Sequence, residues 1–106
     1  MIESVFQSKL IKELGIMFKG CIVLKNDPNY IQGFPDLLIL YKNKWAALEV
    51  KKDVNAPFQP NQEYYIGVLD EMSYSSVIYP EIKEEVLYEL QQTFGLRRTT
   101  RISKCK

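Results

Sequence analysis

Histidine is absent from this chain of 106 residues. That removes imidazole-built zinc centres, Ser-His-Asp hydrolysis and any nuclease with a histidine base. Cysteine is scarce: Cys21 opens an apolar run and Cys105 sits in a basic end. Two cysteines so placed make no disulfide framework and read as two reduced thiols, one in the core and one exposed. No apolar run approaches the roughly twenty residues that a membrane-crossing helix needs. The first residues, MIESVFQSKLIKEL, carry early acids and no signal-peptide layout, so a cytoplasmic location without membrane attachment is expected. Any hydrolytic chemistry is left to carboxylates, lysine, tyrosine and a hard metal ion.

What is present suits one small globular domain. The hydrophobic fraction of 46% and charged fraction of 25% are ordinary for such a chain. The net charge of +1 conceals an asymmetry. Residues 97–106, RRTTRISKCK, hold five basic side chains and no acid. The other 96 residues carry nine basic against thirteen acidic side chains, a net of −4. The expected organisation is therefore a single domain over residues 1–96 and a basic tail over 97–106. Such a tail suits a phosphate backbone; a solubilising end is the plainer account.

Hydrophobic spacing orders the elements. Ile2, Phe6, Leu10 and Leu14 recur every four residues, which predicts a helix over 2–14 ended by Gly15 or Gly20. Residues 21–25 read as a strand and NDPN at 26–29 as a turn. DLLILY at 36–41 and WAALEVK at 45–51 read as a hairpin closed by KNK at 42–44. Pro60 suits the first turn of a following helix with Tyr65, Val68, Leu69 and Met72 on its buried face. A fourth strand follows at 73–79. A last helix opens at Pro80, carries Ile82, Val86 and Leu90 on one face, and stops at Gly95. The order α-β-β-β-α-β-α implies an α/β (α+β) domain, a mixed sheet flanked by helices.

The chemistry gathers on the hairpin. Alternation places Trp45, Ala47, Glu49 and Lys51 on one face of their strand and Ala46, Leu48 and Val50 on the other. With the hairpin closed at 42–44, position 36 falls roughly opposite position 50, so Asp36 and Glu49 converge at one end. Two carboxylates there suit a hard divalent cation such as Mg²⁺. A lysine beside them can hold a water or neutralise a phosphate, which together with a metal suffices for hydrolysis of a phosphodiester. Pro-Asp is also common in turns and Glu-x-Lys on solvated strands, so the joint placement carries the argument. Glu3 lies seven residues before Leu10, in the apolar stripe, where an acid needs a partner or a metal. Solvation at the frayed end is its plainer account, and Glu13, seven residues after Phe6, is its rival. Gln62 continues the buried stripe of its helix, as a holder of water or lysine, or as a helix cap. Tyr30, Phe34 and Trp45 flank the site. Core packing explains them most simply; stacking on bases is the other account.

GFPDLLIL at 33–40, LEVKK at 48–52 and PFQPNQ at 57–62 together resemble the PD-(D/E)XK nuclease superfamily, and within it the virus-type replication-repair (VRR-NUC) domain. The resemblance covers roughly residues 3–79. It implies a restriction-endonuclease-like α-β-β-β-α-β core. It also implies metal ligation by Asp36, Glu49 and the Val50 carbonyl, a catalytic Lys51, and supporting roles for Glu3, itself a further candidate ligand, and Gln62. The implied cofactor is Mg²⁺, with Mn²⁺ as a substitute, and the implied substrate is DNA, including branched forms such as Holliday junctions. Domains of this kind often pair, so a homodimer is expected; the stripe of Ile82, Val86 and Leu90 is its candidate patch, with packing on its own sheet as the other account. The competing expectations are an inactive nucleic-acid-binding module of the same fold and a protein-interaction domain.

Overall fold

The computed structural model describes residues 2–95. Phe6, Leu10 and Leu14 are buried along helix α1, Glu3–Met17. The helix runs through Gly15 and stops just before Gly20, whose φ of +91° lies in the left-handed region that favours glycine. The remaining elements are β1 (Ile22–Lys25), β2 (Leu37–Tyr41), β3 (Lys44–Val50), α2 (Gln62–Met72), β4 (Ser75–Ile78), a 3-10 turn (Pro80–Ile82) and α3 (Lys83–Thr93). Their order is the one that the hydrophobic spacing predicts, in an α+β arrangement.

The four strands form one sheet in the order β1-β2-β3-β4. The first three are antiparallel neighbours, β1 and β2 joined by the loop over residues 26–36 and β2 and β3 by a tight turn. β4 runs parallel to β3, as the crossover through α2 requires. Leu37, Ile39 and Tyr41 of β2 and Ala46, Leu48 and Val50 of β3 share one face, which α1 and α3 cover to form the core. Phe18, Tyr41 and Phe94 close its end, with ring centroids 5.0–5.7 Å apart. The opposite face carries Asp36, Glu49 and Lys51, and α2 covers only its β3–β4 half.

Five expectations change. The hairpin link is two residues, Lys42–Asn43, because Lys44 already pairs with Tyr41. The register moves by one, and Asp36 comes opposite Glu49 rather than Val50. Pro60 lies outside α2, which begins at Gln62 after Asn61 turns through a left-handed φ of 72°. On α2 Leu69 is buried, but Met72, at the turn into β4, is 67% exposed. The last-helix stripe is used internally: Val86 and Leu90 are buried in the core with Ile82 packed against them, so it offers no patch to a second copy.

Among the described residues, no helix is long and apolar enough to cross a membrane. Cys21 is a free, half-buried thiol packed against the core. Cys105 and the basic tail lie outside the described residues, as does Met1.

Candidate active site

The end of the β2–β3 hairpin is built by the loop that feeds it. The Asn26 side-chain amide donates to the Pro35 carbonyl at 2.7 Å and its backbone N–H to the Asp36 carbonyl at 2.8 Å. That ties Pro35 and Asp36 to the end of β1. Backbone groups of β3 alternate sides: Ala47 and Lys51 donate N–H to Tyr74 and Ile78 on the β4 side. Val50 therefore faces β2, opposite Pro35, which has no N–H to give its carbonyl. The Val50 N–H donates instead to the Asp36 carboxylate, Oδ2, at 2.9 Å. Proline at 35 thus ends the ladder, leaving a carboxylate and a strand carbonyl side by side.

Glu49 stands beside them at 3% exposure. Its Oε2 accepts from the Gln62 amide at 2.9 Å and lies 3.6 Å from Lys51 Nζ. Its Oε1 is buried and accepts from no donor; the group it meets is the Asp36 carboxyl, with which it shares a hydrogen bond only when one of the two is protonated. Burial, and then the Asp36 charge, push the Glu49 carboxyl up to about 8, against the pull of Lys51. Lys51 is buried as well and donates to the Pro57 carbonyl at 3.0 Å and to Gln62 Oε1 at 2.8 Å. Its ammonium lies 5.4 Å from the centroid of the Phe58 ring. Gln62 Oε1 accepts a further bond, from the Gln59 N–H, at 2.7 Å. One amide thus spans carboxylate, ammonium and loop backbone, with donor and acceptor in the only orientation that serves all three. Of the two roles expected of it, it takes the hold on the lysine; it does not cap its helix, since its other acceptor bond comes from the loop before α2 and α2 has no side-chain cap hydrogen bond.

Replacing Gln62 by alanine removes two of these supports from Lys51 and Glu49 at once. We expect a folded protein that loses about 1–3 kcal/mol in urea unfolding, because Glu49 Oε2 and the Lys51 ammonium are then buried with fewer partners. An unchanged midpoint would show that Gln62 does not support the pair.

Glu3 is exposed and does not face the core, because α1 begins there and its apolar stripe starts at Phe6. It nonetheless lies at the rim. Partial burial and then the Asp36 charge raise its carboxyl, while Lys51 and Lys52 oppose the shift. Its rival Glu13 is engaged elsewhere, in an ion pair with Lys83 at 3.0 Å. Pro57 and Phe58 stand within the PFQPNQ string that the resemblance rests on, but no role at the site was expected of either, since their loop position gives no periodic signal. Phe34 packs on Tyr65 of α2 at 5.7 Å, Trp45 is half-buried, and Tyr30 is exposed.

Among the described residues, no three or more Asp, Glu, His or Cys side chains gather into a group able to hold a metal ion. Two carboxylates and the Val50 carbonyl are what the chain itself offers. That set suits Mg²⁺, which retains several waters and commonly takes only one or two carboxylates. Glu49 Oε1, which accepts from no donor, is the atom that a cation would satisfy. Compared with protein-family models, curated proteins and solved structures, the chain matches none.

Proposed function

We propose that this protein is a divalent-metal-dependent DNA nuclease with a PD-(D/E)XK core of the VRR-NUC kind. The observation that carries this reading is Glu49: a buried carboxyl whose Oε1 meets no protein donor other than the Asp36 carboxyl, two residues from a buried lysine. Leaving such a group unsatisfied costs about 1–3 kcal/mol, as much as burying one leucine contributes. The core could have filled this position with an apolar side chain; a cation site needs the acid.

Asp36, Glu49 and the Val50 carbonyl would hold Mg²⁺, or Mn²⁺ in its place, with Glu3 at the rim. The ion, when bound, lowers the pKa of water and offsets charge on the phosphate. Lys51 gives two N–H groups to Pro57 and Gln62 and lies 3.6 Å from Glu49 Oε2; its third N–H would serve the attacking water or a phosphate oxygen beside that carboxyl. Gln62 fixes the direction of that N–H. The Phe58 ring and the loop at 57–60 limit water around the ammonium. Paired cuts in a branched DNA take two such sites, hence two copies of the chain.

The test is incubation of the pure chain with supercoiled, linear and four-way-junction DNA in Mg²⁺, Mn²⁺ or EDTA, with light scattering to give the mass. Cutting is expected with either metal and not with EDTA. Asp36→Ala should lose both cutting and calorimetric Mn²⁺ binding. Lys51→Ala should keep Mn²⁺ binding and cut about 10²–10⁴-fold more slowly. Full activity in Asp36→Ala would refute the site.

A further inference from the structure

On the face of the sheet that carries Asp36, α2 leaves the β1–β2 half uncovered, and Ile22 and Leu24 of β1 are exposed there. A cleft of about 430 Å³ opens at its end, lined by Asn26, Asp27, Tyr30, Ile31, Phe34 and Leu38. That volume is within the range of small-ligand sites, roughly 300–1,000 Å³. Odd-numbered residues of β2 face the core, so Leu38 shares its face with Asp36, two residues away. At a strand rise of about 3.3–3.4 Å per residue, the backbone of Leu38, which lines the cleft, lies roughly 7 Å from that of Asp36. A single nucleotide spans that distance.

The lining decides what enters. Phe34 is braced by Tyr65 and forms a fixed wall. Tyr30 is 84% exposed and stands at the mouth. Asn26 donates to the Pro35 carbonyl and Asp27 Oδ1 accepts from the Asn29 N–H, which takes up part of their capacity. The other four lining residues, Tyr30, Ile31, Phe34 and Leu38, offer aromatic and aliphatic faces, so most of the contact in the cleft is with such faces. Every nucleobase has such a face, and only an unpaired one is free to present it.

We infer that the cleft receives an unpaired nucleobase next to the scissile phosphate, so that the substrate is a strand with single-stranded nucleotides, as at a frayed end or branch point, with little preference among bases. This rests on the nuclease reading of the neighbouring site.

The test uses the full chain in Ca²⁺, which takes the same kind of oxygen ligands as Mg²⁺, and single-stranded oligonucleotides carrying the fluorescent base 2-aminopurine at successive positions. One position should be quenched on binding. Tyr30→Ala should abolish that quench and weaken binding about tenfold, yet leave unchanged the binding of an oligonucleotide made abasic at that position. No quench at any position, or equal weakening of intact and abasic strands, overturns the inference, and the cleft then belongs to another apolar ligand or a second copy. The two readings fail separately. Without Mg²⁺-dependent cutting but with a base-dependent effect of Tyr30→Ala, the nuclease falls and the cleft stands. With cutting of duplex DNA that Tyr30→Ala does not alter and no quench, the cleft falls and the nuclease stands.

Discussion

Glu49→Gln is expected to yield a protein that is more stable than the parent at pH 8 and cuts DNA roughly 10³-fold more slowly, the rate equivalent of about 4 kcal/mol. The stability gain follows from the buried carboxylate. Its proton is held in the folded state up to about pH 8, whereas the unfolded chain releases it near 4.5. Below 4.5 both states are protonated. Between 4.5 and 8 folding takes up a proton, so the parent loses stability as pH rises through that window, and above it the loss is complete. Glutamine carries no charge, accepts from the Gln62 amide as Glu49 Oε2 does, and removes that slope. A gain of about 1–3 kcal/mol at pH 8 is expected, at about 4–8 °C in Tm per kcal/mol for a chain of this size. Mg²⁺ should raise the Tm of the parent most at pH 8, where its ligand is most easily ionised, and should leave the variant unmoved. Thermal unfolding at pH 5, 6.5 and 8, with Mg²⁺ or EDTA, measures all of this. The same pH slope in parent and variant would show that Glu49 is not the titrating group.

Gly33→Ala is the second substitution with a large expected effect. Gly33 has a φ of +90°, and a Cβ there would sit 2.6 Å from the Pro60 carbonyl oxygen and 2.6 Å from the Asn61 Cβ. The left-handed backbone alone costs a side chain about 1–2 kcal/mol. The collision is with backbone, so relief requires the 60–61 segment to retreat. We expect a total loss of about 2–4 kcal/mol in urea unfolding. The retreat carries Gln62, the next residue, away from Lys51 and Glu49, so the surviving folded protein should also cut poorly. Gly15→Ala is the control: it lies within α1 with nothing within 4 Å of an added Cβ, and should gain about 0.5–1 kcal/mol from helix propensity. If Gly33→Ala loses no more stability than an exposed substitution, the contact between the two loops is not what holds Gln62 in place.

Both substitutions act on contacts of different legibility. Asp36, Glu49 and Lys51 could be picked out because strand alternation and a hairpin are local, readable at spacings of two residues. Their register was legible too, though it was misjudged by one residue: opposite residues of an antiparallel pair share a face, so only the two-residue link puts Leu37, Ile39 and Tyr41 with Ala46, Leu48 and Val50. That single residue moved Asp36 opposite Glu49. The Glu3 position was misjudged because a periodic stripe says which side of a helix faces inward, not where along it the core begins. The last-helix stripe was legible as apolar, but whether it met its own sheet or another copy depended on how far the sheet extends beneath it.

By itself the sequence determined the order of helices and strands, the side on which each strand's acids fall, and the residue types available for hydrolysis, because these follow from periodicity and composition along a short stretch of chain. Only the tertiary structure decided that Glu49 is buried with an oxygen that accepts from no donor, that Gln62 joins it to Lys51, that Pro35 leaves the Val50 carbonyl without a strand partner, and that half of the site's face stays open beside Tyr30. Each of these depends on which segment comes to lie over another, and burial and hydrogen bonding between distant segments leave no mark on local spacing.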